Sequence, residues 1–279
     1  MKKIQLLMTA MLMMATVFTS CSDDNDDAPK FQEQTYSTWS KVVFAYGTMY
    51  DSNETLAVSE SDITFHSDQW GDGTFIVSEL KKNADGSYSV AGVGTLSIAG
   101  HGGKKDYDAT VAGTIGKDAQ TFTITVPSVM GGTTLHVTVG ELPLMAAIDG
   151  TYKGGTYANC KYFQHYQPTK DDKVIIKAND ALDAASLSYT SETWGAFTFE
   201  TLTVVKDENG SFILTGEGKT LMPSMKGGTT EYAATFEGTI KDGALVATFS
   251  VPAVMGGTTV YFNAADFEEV LAEAQKDAE

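Results

Sequence analysis

Val126-Pro127-Ser128-Val129-Met130-Gly131-Gly132-Thr133-Thr134 returns 125 residues later as Val251-Pro252-Ala253-Val254-Met255-Gly256-Gly257-Thr258-Thr259. Each stretch has β-branched residues on both sides of a Met-Gly-Gly centre, the pattern of two strands joined by a tight turn. The same shift pairs Tyr107-Asp108-Ala109-Thr110 with Tyr232-Ala233-Ala234-Thr235, and Gly113-Thr114-Ile115 with Gly238-Thr239-Ile240. Across 107–135 and 232–260, 16 of 29 positions are identical without a gap. Upstream the shift is 124, where Trp70-Gly71 meets Trp194-Gly195 and Gly86-Ser87-Tyr88 meets Gly210-Ser211-Phe212. Further upstream it is 116, where Thr35-Tyr36 meets Thr151-Tyr152, so the second copy carries about eight extra residues in its first third.

A repeat this long is not a solenoid unit; it suits a complete small domain. Composition agrees with an all-β chain. Of 279 residues 42% are hydrophobic, 10% aromatic and 20% charged, with 27 Gly and 6 Pro, enough apolar matter for a core and many turns. Each copy reads as seven or eight short antiparallel strands, among them 41–49 and 121–126 in the first and 196–205 and 244–251 in the second. Asn83-Ala84-Asp85-Gly86, Asp207-Glu208-Asn209-Gly210 and Lys241-Asp242-Gly243 supply hairpin turns. That strand count fits a small up-and-down barrel or a sandwich. Two closed modules and one continuous sheet both remain open at this level.

The N-terminus is an address. Met1-Lys2-Lys3 precedes an apolar run from Ile4 to Phe18, too short to span a membrane and shaped as a signal peptide over 1–20. Thr19-Ser20-Cys21 resembles a bacterial lipobox, with Phe18 in place of the usual Leu; it makes Cys21 the lipidated first mature residue. Ser22-Asp23-Asp24-Asn25-Asp26-Asp27 then opens an acidic tether over 21–34. It resembles the signal that sends lipoproteins of Bacteroidetes-type bacteria to the cell surface. Residues 35–141 form module 1, 142–150 an apolar connector that should let the modules touch, and 151–265 module 2. In the tail 266–279, Phe267, Val270, Leu271 and Ala274 share one face of an amphipathic helix.

The formal charge of −17 argues against nucleic acid, whose phosphates need a basic stripe. No hydrolase elbow, zinc-protease motif or Cys-x-x-Cys occurs, and Gly218-Lys219-Thr220 lacks the first glycine of a phosphate loop because position 213 is Ile. His66, His101, His136 and His165 have no ligand spacing, so neither metal nor cofactor is expected, and no catalytic residue. With Cys21 acylated, Cys160 has no disulfide partner and reads as a small, half-buried residue. Paired carboxylates are plentiful on turns and tails and read there as solvated charge. The candidate binding residues are those shared by the copies, Trp70, Trp194, Met130 and Met255, together with the aromatic cluster Tyr157, Tyr162, Phe163, His165 and Tyr166 in the longer second copy. The tryptophans read either as barrel plugs or as a wall for a sugar ring or apolar ligand, and the methionines as part of an adaptable rim.

A leader with an acidic tether, then Gly150-Thr151-Tyr152-Lys153-Gly154, aromatic-rich middle strands, Gly238-Thr239-Ile240 and Val251–Thr259, resembles the calycin-like β-barrel lipoproteins of Bacteroides and relatives. The resemblance implies two tandem lipocalin-like barrels, a surface-exposed outer-membrane lipoprotein and an unassigned ligand. The expected function is non-catalytic binding of a small, partly apolar ligand in a barrel mouth. The alternative is a protein- or glycan-interaction module accessory to an outer-membrane uptake complex.

Overall fold

The computed structural model describes residues 31–100, 103–164, 166–223, 228–265 and 268. The first copy closes into a barrel of eight antiparallel strands in sequence order: β1 (Gln34–Phe44), β2 (Gly47–Val58), β3 (Asp62–Ser67), β4 (Gly71–Lys82), β5 (Tyr88–Gly100), β6 (Gly103–Ile115), β7 (Gln120–Val126) and β8 (Thr133–Val139). Closure is by β1 on β8, from Thr38 opposite Val139 to Val43 opposite Thr134. Period-2 alternation decides which side chains enter. In β3, Ile63, Phe65 and Ser67 are buried and Asp62, Thr64 and His66 are exposed. The interior is mainly aliphatic, with Val42, Leu56, Val58, Ile63, Leu96, Ile124 and Leu135 fully buried.

A short helix, α1 (Leu144–Ile148), leads into the second copy. Its Ile148 and Met145 pack against the second core, so the apolar connector serves as part of that core. The second copy contributes β9 (Gly150–Cys160), β10 (Tyr166–Ala178), β11 (Ala185–Ser191), β12 (Gly195–Phe199), β13 (Thr203–Lys206), β14 (Phe212–Pro223), β15 (Thr229–Lys241), β16 (Ala244–Val251) and β17 (Thr258–Asn263). Pairing of β12 with β14 closes an eight-strand ring, and β13 continues the line of β12 along the same β14. Each copy therefore closes its own barrel, which settles the alternative of one continuous sheet.

Two strand readings need correction. Residues 41–49 are not one strand: the chain reverses at Ala45-Tyr46, and the β-like residues on either side belong to β1 and β2. Residues 196–205 are also interrupted. Leu202 is turned into the core after Phe199, and its N–H donates to Ala185 O at 2.9 Å. In the first barrel the equivalent β4 runs through, absorbing the change with a bulge between Val77 and Glu79. The tail helix lies outside the described residues except for Glu268, as do the leader, Cys21 and the acidic run.

The two interiors differ in chemistry. The second is built on six fully buried aromatic residues: Tyr189, Phe197, Phe199, Phe236, Phe249 and Phe262. Phe249 is central, with ring centroids at 5.1 Å from Tyr189, 5.1 Å from Phe197, 6.0 Å from Phe199 and 5.2 Å from Phe236. These spacings are those of tilted ring pairs, which add about 0.5–1.5 kcal/mol each beyond area burial. Among the described residues there is no disulfide, and Cys160 is a buried free thiol, 6% exposed, deeper than half-buried.

Candidate functional site

In an up-and-down barrel alternate turns share one end. The β1–β2, β3–β4 and β7–β8 turns of the first barrel therefore lie together, as do the β9–β10, β11–β12 and β16–β17 turns of the second. The Trp-Gly and Met-Gly-Gly repeats, with the loop residues of the extra aromatic cluster, map to these two equivalent ends.

The tryptophans sit in the β3–β4 and β11–β12 turns and point inward, 5% exposed at Trp70 and 4% at Trp194. Ser67 Oγ accepts from Trp70 N–H at 2.9 Å, and Ser191 Oγ accepts from Trp194 N–H at 3.2 Å, the same serine turn in both copies. The glycine after each tryptophan is explained by the backbone that passes it. Gly71 has φ +82°, and a Cβ there would fall 1.9 Å from Ser97 O; Gly195 has φ +80° and would meet Leu221 O at 2.0 Å. The Trp-Gly pair is thus a plug and its seat, and neither indole forms an open wall.

At the same end of each barrel, across the ring from the plug's turn, is the Met-Gly-Gly turn. Met130 has φ +49° and Met255 φ +51°, left-handed positions uncommon for a side chain of that size. Gly132 N–H donates to Val129 O at 2.9 Å and Thr133 Oγ to the same oxygen at 2.9 Å; Gly257 N–H and Thr258 Oγ repeat this on Val254 O at 2.9 and 3.0 Å. Met130 is 51% exposed and Met255 half-buried. Ala45 N–H donates to Met130 O at 3.3 Å, which places exposed Tyr46 next to the first methionine turn. In the second barrel the side chain of Lys161 lies against Gly256, so the β9–β10 loop adjoins the second turn. That loop exposes Tyr162 by 65% and Phe163 by 47%, and Cys160 N–H donating to Phe163 O at 2.8 Å fixes its backbone. Lys161 Nζ stands 5.8 Å from the Tyr162 ring centroid.

The rest of the cluster separates. Tyr157 is on the outer wall of β9, stacked on its cross-strand partner Tyr261 at 4.9 Å and 15°, away from the rim. Tyr166 begins β10 opposite Ala158, and His165 lies outside the described residues. Tyr46 was missed because the sequence reading ran straight through its turn.

A second set was also missed. Ser40 and Glu54 face into the first barrel, 0% and 1% exposed, and Ser40 Oγ donates to Glu54 Oε1 at 2.5 Å. Burial above all, with nearby Asp51 adding and the Ser40 hydrogen bond opposing, pushes the Glu54 carboxyl up to about 8. Glu54 Oε2 and Thr38 Oγ1, on cross-strand partners, are both buried without a hydrogen-bonding partner among the described residues. At the matching place in the second barrel Thr156 Oγ1 donates to Asp172 Oδ2 at 2.5 Å, and Tyr189 OH approaches both. The reading of paired carboxylates on turns and tails as solvated charge does not reach these two strand acids, Glu54 on β2 and Asp172 on β10. Strict alternation through Glu54, Leu56 and Val58 is the signal that would have placed Glu54 inside.

The profile of the calycin-like beta-barrel domain matches residues 49–140 and again 148–265. The chain belongs to the calycin-like β-barrel family. A crystal structure described as that of a "putative outer membrane protein" of Bacteroides fragilis superposes with TM-score 0.62 at 23% identity, covering 83% of this chain and 96% of that one. It supports the fold. A transferrin binding protein B mutant of Haemophilus parasuis aligns over 84% of this chain and 76% of its own, at 9% identity and TM-score 0.20, too low to carry an argument. No curated protein matches the sequence.

Proposed function

We propose that this calycin-like chain is a non-catalytic, lipid-anchored outer-membrane protein that meets an external glycan or protein partner through the rims of its Trp-plugged barrel ends. The observation that carries this reading is the exposure of Tyr162 and Phe163 beside the methionine turn of a barrel whose interior is filled with its own rings. Large aromatic side chains left in water next to a closed core are interaction surface more than packing. A small apolar molecule held inside is the weaker reading, because Trp194 and the aromatic cluster occupy that space in the second barrel. The leader, Cys21 and the acidic run support attachment to the outer membrane, and the Bacteroides fragilis protein bears a description of the same location.

The test has two arms. A glycan array and cross-linking on intact cells should give a partner to the native chain and lose it with Tyr162→Ala and Phe163→Ala combined. Native mass spectrometry of the purified chain should show no retained small molecule; a stoichiometric apolar ligand, or unchanged partner capture by the double variant, overturns the rim reading. Labelled fatty acid should enter the native chain and not Cys21→Ala.

A further inference from the structure

On the outer wall of the second barrel, Val205, Ile213, Thr239 and Val246 stand side by side across β13, β14, β15 and β16. Three of the four are exposed apolar side chains, at 54%, 45% and 47% for Val205, Ile213 and Val246. The first barrel supplies an internal comparison. Its matching row, at shifts of 124 and 125, is Lys81, Ser89, Thr114 and Thr121, paired in the same way. The fold therefore does not require an apolar row here.

The row begins at β13, which pairs with β14 alone among the described strands and has α1 packed beside it. Asp207 N–H donates to Ser211 O at 2.8 Å, so by alternation Val205 and Thr203 direct their N–H groups to β14 and Val204 and Lys206 direct theirs away. On that outer side Leu202 N–H reaches Ala185 O of β11 at 2.9 Å; beyond it, among the described residues, nothing pairs with Val204 or Lys206. The first barrel has the same junction, Val77 N–H to Ser61 O at 2.9 Å, but there the edge bulges before Glu79 and ends in Lys81-Lys82. Bulges and lysines are how sheet edges are kept from pairing. The edge of β13 has no bulge, and of the two first-barrel lysines it keeps only the second, as Lys206, with Val205 in place of Lys81.

We propose that β13 accepts an extended segment of a partner protein as an added strand, with the partner's apolar side chains lying along the Val205–Ile213–Val246 row. This surface is at the opposite end from the aromatic rim and stands independently of it. Strand addition takes affinity from backbone hydrogen bonds and selectivity from alternate side chains. Charge chooses among occupants. Around the row Asp207, Glu217, Glu237 and Asp242 outnumber Lys206 and Lys241, and the chain carries −17, so a second copy would bring like charge to like. A segment alternating β-branched and basic residues is the complementary partner.

The probe is a short synthetic peptide alternating Val and Lys, titrated into the full chain by fluorescence anisotropy, with amide exchange read at Val204 and Lys206. It should bind and slow both amides, while a Val–Glu peptide, and the Val–Lys peptide with a central proline, bind at least about tenfold more weakly. Ile213→Ser with Val246→Thr copies the uncharged residues of the first barrel and should weaken binding about tenfold or more. Lys206→Pro removes an outward N–H, spares pairing to β14 and makes the patch more acidic, so weaker binding by this variant is not a charge effect. Unchanged exchange at the two amides on peptide addition, or equal binding by both variants, overturns the proposal. So does a dimer in light scattering that protects the same amides, since that would make the occupant a second copy.

Discussion

Ser40 donates its hydroxyl to Glu54 Oε1 at 2.5 Å inside the first barrel, holding an acid that is 1% exposed. The folded chain keeps that proton to about pH 8, while the unfolded chain releases it near the ordinary value of 4.5. Between these values the native state binds more protons, so stability is fully present below the lower value and falls as pH rises through the upper one. The midpoint of thermal unfolding should drop by several degrees from pH 5 to pH 9, and Glu54→Gln should flatten the profile. A native profile already flat across this range would show that Glu54 does not titrate there.

In the second barrel Thr156 serves Asp172, Thr169 and Tyr189 at once. Thr156→Val keeps the shape and removes the hydroxyl, leaving polar neighbours unserved. Denaturant unfolding should show a loss of ~1–3 kcal/mol, and Ser40→Ala should cost the first barrel a similar amount.

Phe249 touches four other rings, so truncation leaves a cavity that rigid neighbours fill poorly. Phe249→Ala should cost ~3–5 kcal/mol. Because the loss is confined to the second core, hydrogen exchange should accelerate across β9–β17 and stay near native across β1–β8.

The methionine turns make opposite predictions for neighbouring residues. Gly131 has φ +77°, and a Cβ on it would lie 2.9 Å from the Ala45 Cβ, so Gly131→Ala should destabilise by ~1–2 kcal/mol. Met130→Gly relieves a left-handed side chain and should raise the melting temperature or leave it unchanged. If partner capture is lost while stability holds, the methionine is kept for the rim and not for the turn.

What was legible in the sequence was whatever both copies wrote. The Met-Gly-Gly turns, the Trp-Gly pairs and the closing strands follow from the repeat, and with them the two barrels. The turn at Ala45-Tyr46 was hidden because no left-handed Asn-Gly or Asp-Gly signal marks it and both flanks are β-like. The break after Phe199 was hidden because Leu202 continues an apolar stretch while reversing which face it presents. Glu54 was missed because charge was weighed by residue type; its place between inward positions is a matter of register, which a one-residue slip would invert. Of the candidate site, Tyr162 and Phe163 were placed at a rim, whereas Tyr157 went to the outer wall, since its neighbour Ala158 takes the inward position.

The paired plugs also give each barrel its own optical label. The chain has three tryptophans: Trp70 buried at one end of the first barrel, Trp194 at the same end of the second, and Trp39 half-buried on β1. With Trp39 and one plug replaced by Phe, the emission of the remaining indole reports when a single barrel opens and lets water reach its end. Two such variants would separate the melting of the aliphatic barrel from that of the aromatic one within one intact polypeptide.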